Sequence, residues 1–429
     1  MAAMLGTTDP AFAPVRAAFA RLLDTVDAPG ASVCVYQHGR PVVDLWGGSH
    51  PATGVPWTDE TVTVLFSATK AATALCAHLL AQRGLLDLDA PVSHYWPEFA
   101  AQGKAQVSVS CLLSHRGGLP SPDPAFALGI EDYADWHRMT AALASQRPWW
   151  TPGTCVYYHA ITFGFLVGEV VRRVAGMSVG RFFDAEVARP LGLRLWIGLP
   201  PAQERHFAPG LLPEHTSDAF WAGLPEPASP WQGSPARDPQ EVLEHLGLDP
   251  ASTAAQVPWL RAQLLMPRDG GPGSEFFNAP AFRAAEVPAS SGVANAKALA
   301  GMYAACIGEV DGVRLLTPST VDALRRCQTD DVPAPPSSVV LSRGVPPRLG
   351  LGFQLPTAIS PMLGDGCFGH YGAGGRLGFA YPEQGIAFAY VSARFWPDHV
   401  QADPRVAALV AALRESLGAQ APSQEAHTP

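Results

Sequence analysis

Apolar residues near the start of the chain recur at the spacing of an amphipathic helix. Between Asp9 and Asp27, after an Asp-Pro start, they are Phe12, Val15, Phe19, Leu22, Leu23 and Val26. This spacing predicts a helix over 9–27. Two runs with strand-like composition follow, Ala31–Gln37 and Pro41–Gly47, with the turn residues His38-Gly39-Arg40 between them. These runs predict a β-hairpin.

Helical patterns dominate the middle of the chain. The stretch Val64–Arg83 favours a helix that ends at Gly84. Strand-like runs are few between Leu85 and Ala285, where Thr162–Val174 and Val257–Leu265 have helical patterns. This part of the chain is therefore expected to form a mainly helical domain.

One segment of this middle region, Pro200–Pro280, is rich in proline and glycine and contains Trp221, Trp231 and Trp259. Long irregular segments inside compact domains are usually lids, binding loops or disordered insertions. We therefore expect this segment to line a pocket.

Strand-like runs return in the last third of the chain. A predicted helix, Ala294–Ile307, precedes three strands, Gly366–Tyr371, Leu377–Tyr381 and Ile386–Ser392, and a closing helix, Pro404–Leu417. Strands at both ends with helices between them indicate an α/β (α+β) fold, in which one antiparallel sheet flanked by helices carries an inserted helical domain. The predicted α/β domain comprises 1–85 and 286–417, the helical domain 86–285, and a flexible tail 418–429.

Composition and charge narrow the class of protein. Hydrophobic residues make up 47% of the 429 residues, enough for a full-size core, whereas charged residues make up only 16%. The formal net charge of −9 provides no basic surface for nucleic acid or an anionic membrane. We expect neither partner, and the sequence leaves the oligomeric state unknown.

Cysteine usage and the N-terminus indicate a cytoplasmic protein. The seven cysteines are scattered singly, without the paired spacing of a disulfide framework or a zinc site. Residues 1–12 lack the basic and apolar regions of a secretory signal. The most apolar long stretch, Val64–Gln82, is interrupted by Lys70 and His78, so no transmembrane helix is predicted.

The sharpest chemical signal is the pair Ser67 and Lys70 in Phe66-Ser67-Ala68-Thr69-Lys70. If the helix starts at Ser67, Lys70 lies one turn further on the same face, so its amine can approach the serine hydroxyl. A serine is a weak nucleophile unless a base takes its proton, and lysine can be that base when burial lowers its pKa. Any helix can contain this spacing by chance. However, lysine occurs only three times among 29 basic residues, and arginine cannot replace it as a base.

Two further elements could complete a site. The turn Pro152-Gly153-Thr154 leads into Cys155-Val156-Tyr157-Tyr158-His159-Ala160, where a tyrosine near a cation could acidify and relay a proton. The second element is His370-Tyr371-Gly372-Ala373-Gly374-Gly375. Its glycines permit close backbone approach, so the N–H of Ala373 with that of Ser67 could form an oxyanion hole. In isolation, the tyrosines are better explained as core or pocket-wall aromatics, and the histidine could equally be a buried residue of a hairpin.

Other motifs do not fit their required context. Gly364–Gly369 matches GxGxxG, but a strand rather than a helix is predicted after it, so a dinucleotide site is not indicated. The phosphate-binding loop GxxxxGK[ST] and the HExxH metal motif are absent from the sequence. We therefore expect no cofactor and no metal.

Taken in order, the SxxK, tyrosine and [KH]xG elements resemble the serine β-lactamase and penicillin-binding-protein superfamily, and most closely its class C-like branch, the family VIII carboxylesterases. The resemblance spans roughly residues 10–415 and includes Leu112–Pro120, LLSHRGGLP, which is similar to that family's LLxHxxGL stretch. It implies an antiparallel sheet flanked by helices with a helical domain beside it.

The resemblance also implies roles for individual residues. Ser67 would be the acylated nucleophile, Lys70 its base partner and Tyr158 the proton-relay tyrosine. His370 would stand beside the reacting carbonyl as a donor or proton shuttle, and the N–H groups of Ser67 and Ala373 would form the oxyanion hole. The residues Tyr371, Gly372 and His159 would contact the substrate.

Two departures from the class C pattern bear on the substrate. Ala160 stands where those β-lactamases have an asparagine, and His370-Tyr371-Gly372 replaces their Lys-Thr-Gly. The lysine ammonium of those enzymes, which would meet a substrate carboxylate, is replaced here by the mostly neutral imidazole of His370. An ester without a carboxylate is therefore the better substrate.

The expected partner is thus a small-molecule ester or acyl donor, and the expected enzyme a carboxylesterase that forms an acyl-enzyme on Ser67. Alternatives are an acyltransferase that uses the same intermediate, weak β-lactamase or D-amino peptidase activity, and an acylatable sensor or inert scaffold.

Overall fold

The structure of the chain is a computed structural model. The structure describes residues 4–24, 30–50, 53–126, 128–211, 274–334, 347–357, 360, 362–396 and 403–420. The predicted helix Val257–Leu265, most of the Pro200–Pro280 segment and its three tryptophans lie outside the described residues.

A six-stranded antiparallel sheet organises the described chain. Its strands are β1 (Met4–Thr8), β2 (Gly30–Gln37), β3 (Arg40–Gly48), β7 (Phe368–Gly372), β8 (Arg376–Tyr381) and β9 (Ile386–Ser392). They lie in the order β1-β3-β2-β9-β8-β7. Val33 of β2 lies opposite both Leu45 of β3 and Tyr390 of β9. The sheet therefore joins the two ends of the chain, as predicted.

Helices cover both faces of this sheet because successive side chains of a strand point to opposite sides. On one face, Val33 and Phe379 pack with the helices α1 (Ala13–Leu23) and α12 (Pro404–Gln420). On the other face, Cys34 and Ala380 belong to the larger core that contains the helix α10 (Ala296–Ile307). The second face carries the candidate site.

The larger core continues into a group of helices that lie in the sequence between β3 and Gly292–Ala294 (β6). These are α2 (Thr69–Gln82), α3 (Val92–Tyr95), α4 (Val109–Leu113), α5 (Trp136–Ser145), α6 (Thr162–Ala175), α7 (Val179–Phe183), α8 (Ser274–Asn278) and α9 (Pro280–Ala284). The helix α11 (Pro318–Leu324) follows α10. Residues 69–80 of α2 are all buried, as expected of a helix that is surrounded by protein on every side. A second, three-stranded sheet with the order β4-β6-β5 joins Thr63–Val64, Gly292–Ala294 and Leu195–Ile197.

Several predicted boundaries differ from the structure. The first helix begins with a 3₁₀ turn at Pro10–Phe12 and becomes α-helical only at Ala13, and the strand β1 before it was not predicted. The closing helix continues to Gln420, so residues 418–420 are helical and not part of a tail. Proline restricts the backbone at helix starts, which accounts for the 3₁₀ turn before the first helix. The edge strand β1 has little burial, so it leaves no clear apolar alternation in the sequence.

None of the helices in the described parts of the chain is long and apolar enough to cross a membrane.

Candidate active site

Ser67 lies on a tight turn that is strained and firmly held. The 3₁₀ turn Phe66–Ala68 precedes α2, and Phe66 has a φ of +49°, a conformation that costs energy in a residue other than glycine. Thr69 Oγ1 donates to the carbonyl oxygen of Phe66 at 2.6 Å and accepts from the N–H of Gly292 at 2.9 Å. Phe66 and Ala68 are buried but Ser67 is partly exposed, so the turn presents the hydroxyl.

The helix was predicted over Val64–Arg83, with a start at Ser67 as the condition for the pair, and it starts at Thr69. The one-turn spacing of Ser67 and Lys70 is preserved because the 3₁₀ turn continues directly into α2. Lys70 Nζ lies 3.1 Å from Ser67 Oγ. The structure therefore brings this predicted pair together.

Lys70 is buried and makes two other hydrogen bonds. Its Nζ donates to the carbonyl oxygen of Ala160 at 2.7 Å and to that of Ala289 at 3.1 Å. The side chain has no solvent exposure, and burial lowers the pKa of Lys70 well below its usual value. A neutral amine has two N–H groups and one lone pair. In the neutral form that burial favours, the two carbonyl groups would occupy both N–H groups and the lone pair would face the hydroxyl of Ser67.

Tyr158 is the third member of the site. The Lys70 amine lies 4.8 Å from the centre of the Tyr158 ring. Burial raises the pKa of Tyr158, and a hydrogen bond with Ser67 opposes this effect only in part. The expectation that this phenol is acidified is therefore wrong, because burial outweighs the effect that lowers its pKa. Tyr158 carries its proton and can act as an acid.

His159 supports the loop that carries Tyr158. Its Nε2 accepts from the N–H of Leu119 at 3.0 Å, and its Nδ1 bonds to the carbonyl oxygen of Tyr157 at 2.6 Å. Both ring nitrogens are thus engaged by the backbone, and the residue is 1% exposed. The geometry does not favour the predicted contact between this imidazole and a substrate.

The strand β7 contributes His370 to the site. His370 Nδ1 lies 2.7 Å from the carbonyl oxygen of Tyr371 and donates to it, which leaves Nε2 as the unprotonated nitrogen. Nε2 is buried and has no partner among the described residues. The ring centre lies 6.1 Å from that of Tyr158. Burial and the neighbouring Lys70 lower the pKa of His370 to about 3, so its Nε2 is a neutral hydrogen-bond acceptor and not the expected donor.

Tyr371 points to the other face of the sheet. Its side chain packs with the core that contains α1 and α12, because neighbouring residues of a strand alternate in direction. Its N–H donates to Gln354 Oε1 at 2.9 Å. The prediction that the side chain of Tyr371 contacts the substrate is therefore wrong.

Gly372 brings the end of β7 against the turn of Ser67. A Cβ atom at this position would lie 2.0 Å from the carbonyl oxygen of Leu65, so only glycine permits this approach. Within the described residues, no hydrogen bond engages the backbone N–H of Ser67 or of Ala373. Both donors are available for an oxyanion.

Two buried arginines hold the turn that follows β7. Arg376 Nη1 lies 3.3 Å from each of the carbonyl oxygens of Ala373 and Gly374. Arg405 Nη2 donates to the carbonyl oxygen of Gly374 at 3.0 Å, and Asp403 balances its charge. These bonds fix the orientation of the turn and hence of the Ala373 N–H.

Several contributors to the site were not found from the sequence. The carbonyl groups of Ala160 and Ala289 belong to the main chain and carry no residue-type signal. His115 could have been found, since it lies in the LLSHRGGLP stretch. It stacks on Tyr158 with ring centres 4.9 Å apart. No cluster of three or more His, Cys, Asp or Glu side chains in the described residues is arranged to hold a metal ion.

The arrangement as a whole can perform acyl transfer. It combines a serine, a neutral amine, a protonated phenol and two free backbone donors, which are the parts that nucleophilic catalysis at a carbonyl requires.

Known proteins are similar to this chain in sequence and in fold. A family model described as Beta-lactamase matches residues 15–412. The Mycobacterium tuberculosis protein described as esterase/beta-lactamase LipL is 34% identical over 412 residues, which cover 93% of this chain and 85% of that protein.

Two solved structures are similar over nearly their whole length. A family VIII carboxylesterase superposes with a TM-score of 0.77 at 31% identity, covering 96% of this chain and 100% of that one. A penicillin-binding protein homologue from Caulobacter crescentus has a TM-score of 0.76, also at 31% identity, with the same coverage. The predicted fold class and resemblance are confirmed. With the family model matched over nearly the whole chain, this chain belongs to the β-lactamase family.

Proposed function

We propose that this protein is a serine carboxylesterase that hydrolyses small or medium esters through an acyl-enzyme on Ser67. The observation that supports this most directly is the 3.1 Å contact between Lys70 Nζ and Ser67 Oγ, with both N–H groups of the neutral amine directed elsewhere. The relatives named as esterases support the same reaction class.

Acylation proceeds in two steps. Lys70 takes the proton of the Ser67 hydroxyl as Oγ attacks the ester carbonyl carbon, and the N–H groups of Ser67 and Ala373 hold the resulting oxyanion. As the C–O bond breaks, Tyr158 donates its proton to the leaving alkoxide. Lys70, now an ammonium, returns a proton to Tyr158, so the free alcohol leaves and both groups regain their starting states.

Deacylation uses the same groups with water as the nucleophile. Water gives its proton to Lys70 through Tyr158 as it attacks the acyl carbon, and the proton then returns to Ser67 Oγ as the acid leaves. His370 Nε2 is an acceptor without a partner in the described residues, and its ring centre lies 6.1 Å from that of Tyr158; we assign it to accept a hydrogen bond from the water or from a donor group of the substrate. Its neutral state supports esters without a carboxylate as substrates.

Activity towards β-lactams is a weaker second candidate, supported by the description of the Mycobacterium tuberculosis relative. A cation at position 370 and an amide at position 160 would bind the antibiotic in class C enzymes. Here His370 is neutral and Ala160 offers only its carbonyl group, which Lys70 already uses. Ester hydrolysis should therefore be the stronger activity.

The test uses a short-chain p-nitrophenyl ester and intact-mass detection of the acylated protein. Wild type should turn over steadily and carry the acyl mass during turnover, whereas Ser67→Ala should do neither and should keep its fold by circular dichroism. Hydrolysis by Ser67→Ala at the parental rate would refute the assignment. A burst that stalls until an alcohol or amine is added would instead identify an acyltransferase, and a burst that stalls with every acceptor would identify a sensor.

We also propose a cytoplasmic location. All seven cysteines are free thiols and six of them are buried, which is the usual state in a reducing compartment.

A further inference from the structure

His115 contacts three consecutive residues of the segment that carries the candidate acid. Its carbonyl oxygen accepts from the N–H of Tyr157 at 3.1 Å, and its Nδ1 accepts from the N–H of His159 at 2.9 Å. Between these two bonds, its ring stacks on that of Tyr158, with centres 4.9 Å apart and planes inclined by 27°. One residue thus fixes the backbone on both sides of Tyr158 and one face of its ring.

His115 is itself held in place. Its ring also stacks on Phe163, with centres 4.8 Å apart and planes inclined by 20°. The residue is 2% exposed and has a φ of +60°, a conformation that histidine adopts only when its surroundings require it. His159 closes the arrangement, because its ring bonds to the carbonyl oxygen of Tyr157 and to the N–H of Leu119.

We propose that His115 is a positioning residue that sets the place of the Tyr158 hydroxyl relative to Ser67 and Lys70. The inference rests on the proposed function, in which Tyr158 protonates the leaving group. The phenol oxygen lies at the far end of its ring, so a small tilt of the ring or shift of the backbone moves it away from the reacting oxygen. A displacement of about 1 Å can slow a reaction on the order of a hundredfold.

The test compares two esters whose leaving groups differ in their need for protonation by an acid. An alkyl ester releases a strongly basic alkoxide that must be protonated, whereas a p-nitrophenyl ester of the same acid releases a stable phenolate. A displaced Tyr158 should therefore slow the alkyl ester more than the p-nitrophenyl ester. The ratio of the two kcat/KM values does not depend on the fraction of folded protein, so a purely structural defect leaves it unchanged.

Two substitutions separate the contacts of His115. In His115→Asn, the amide oxygen can still accept from the N–H of His159 and asparagine tolerates the positive φ, but the stacking ring is lost. In His115→Phe the ring is kept and the acceptor is lost. Each should raise the ratio of p-nitrophenyl to alkyl ester hydrolysis by roughly tenfold or more, through kcat, with KM nearly unchanged. Phe163→Leu should shift it in the same direction by less.

His78 provides a matched control. It is also buried, stacks on Phe353 with ring centres 6.1 Å apart and bonds through Nε2 to the carbonyl oxygen of Leu351 at 2.8 Å, but no contact links it to Tyr158. His78→Phe should lower the unfolding temperature and leave the ratio unchanged.

Tyr158→Phe distinguishes the possible failures. If it raises the ratio and the three His115 and Phe163 variants do not, the positioning role is refuted while the proposed function stands. If Tyr158→Phe itself leaves the ratio unchanged, then Tyr158 is not the acid, and the positioning role is refuted together with that step. A His78→Phe variant that changes the ratio as much as His115→Phe would also refute a specific role for His115.

Discussion

The amine of Lys70 and the hydroxyl of Ser67 lie 3.1 Å apart, and the only solvent-accessible member of the pair is the serine. Two main-chain carbonyl groups from distant parts of the chain, at Ala160 and Ala289, accept both N–H groups of the neutral amine. The lone pair of the base is therefore directed at the nucleophile before any substrate binds. This relationship determines what substitutions at the site should do.

Replacing Lys70 should remove the base. Lys70→Arg introduces a permanent positive charge that cannot release its proton at any working pH, and Lys70→Met has no proton acceptor. Both should lower the rate of acylation by about 10³-fold or more, measured as the initial burst of p-nitrophenol. Circular dichroism and the unfolding temperature serve as controls for folding. An arginine variant with more than about a tenth of the parental rate would contradict the role of Lys70 as base.

The pH dependence of activity should have an acid limb that belongs to Lys70. Activity requires the neutral amine, so kcat/KM should fall as the pH falls through the pKa of Lys70, which burial places well below 10.5. His370, with a pKa of about 3, and His159, with a pKa of about 4, are already neutral above about pH 5. The limb should keep its midpoint in His370→Asn, measured between about pH 4 and 9. A midpoint that disappears in that variant would assign the limb to the histidine.

Stability should also depend on pH through Lys70. The unfolded chain holds this proton up to its usual pKa of 10.5, but the folded chain releases it at a lower pH. In that window the unfolded state binds more protons, so the free energy of unfolding rises with pH, by about 1.4 kcal/mol per pH unit, and levels off above the unfolded pKa. Lys70→Met removes this slope and leaves the contribution of the other buried lysine, Lys104, unchanged.

The measurement is urea unfolding of wild type and Lys70→Met at about pH 8, 9 and 10. The stability of wild type relative to the variant should increase over this range. A constant difference would show that Lys70 has the same pKa in the folded and unfolded chains.

Gly372→Ala should inactivate the enzyme. The added methyl group would lie 2.0 Å from the carbonyl oxygen of Leu65, so the end of β7 must move away from the turn that carries Ser67, and with it the N–H of Ala373. Loss of one oxyanion donor typically costs about 10²- to 10³-fold in kcat. Gly308→Ala is the matched control, because its new methyl group would have only an ordinary contact, 3.7 Å from the carbonyl oxygen of Ala304. A Gly372→Ala variant as active as this control would contradict the proposed oxyanion hole.

A cation at position 370 should change the substrate preference. His370→Lys would place an ammonium where a substrate carboxylate could reach it, and a charge-assisted hydrogen bond favours carboxylate-bearing substrates by roughly tenfold. The ratio of turnover of a carboxylate-bearing β-lactam to that of a neutral ester should rise accordingly. His370→Gln, which adds no charge, should leave this preference where it is in wild type. Equal ratios in the two variants would show that charge at this position does not select the substrate.

Local sequence patterns predicted much of the architecture. The continuous runs of β-forming residues in Ala31–Gln37 and Ile386–Ser392 identified two adjacent strands of the sheet, because a strand buried on both faces has such a run. The Ser67–Lys70 pair could be recognised because the two residues lie one helical turn apart in the sequence. The third group, Tyr158, was found through its motif and the family resemblance and not through spacing alone.

Tertiary structure decided what the local patterns could not. Strand direction placed His370 at the site and turned Tyr371 to the opposite face. The pKa values of Lys70 and Tyr158 depend on burial by residues far away in the chain. For this reason the phenol of Tyr158, which was expected to be acidified, keeps its proton.

The sequence by itself determined which residue types are present and how they are spaced within one helix or strand, because these properties depend only on neighbours along the chain. Only the tertiary structure decided that the carbonyl groups of Ala160 and Ala289 meet at one amine and that His115 contacts the segment around Tyr158. Main-chain carbonyl groups are the same in every residue, and burial is a property of the whole fold, so neither leaves a mark in the local sequence.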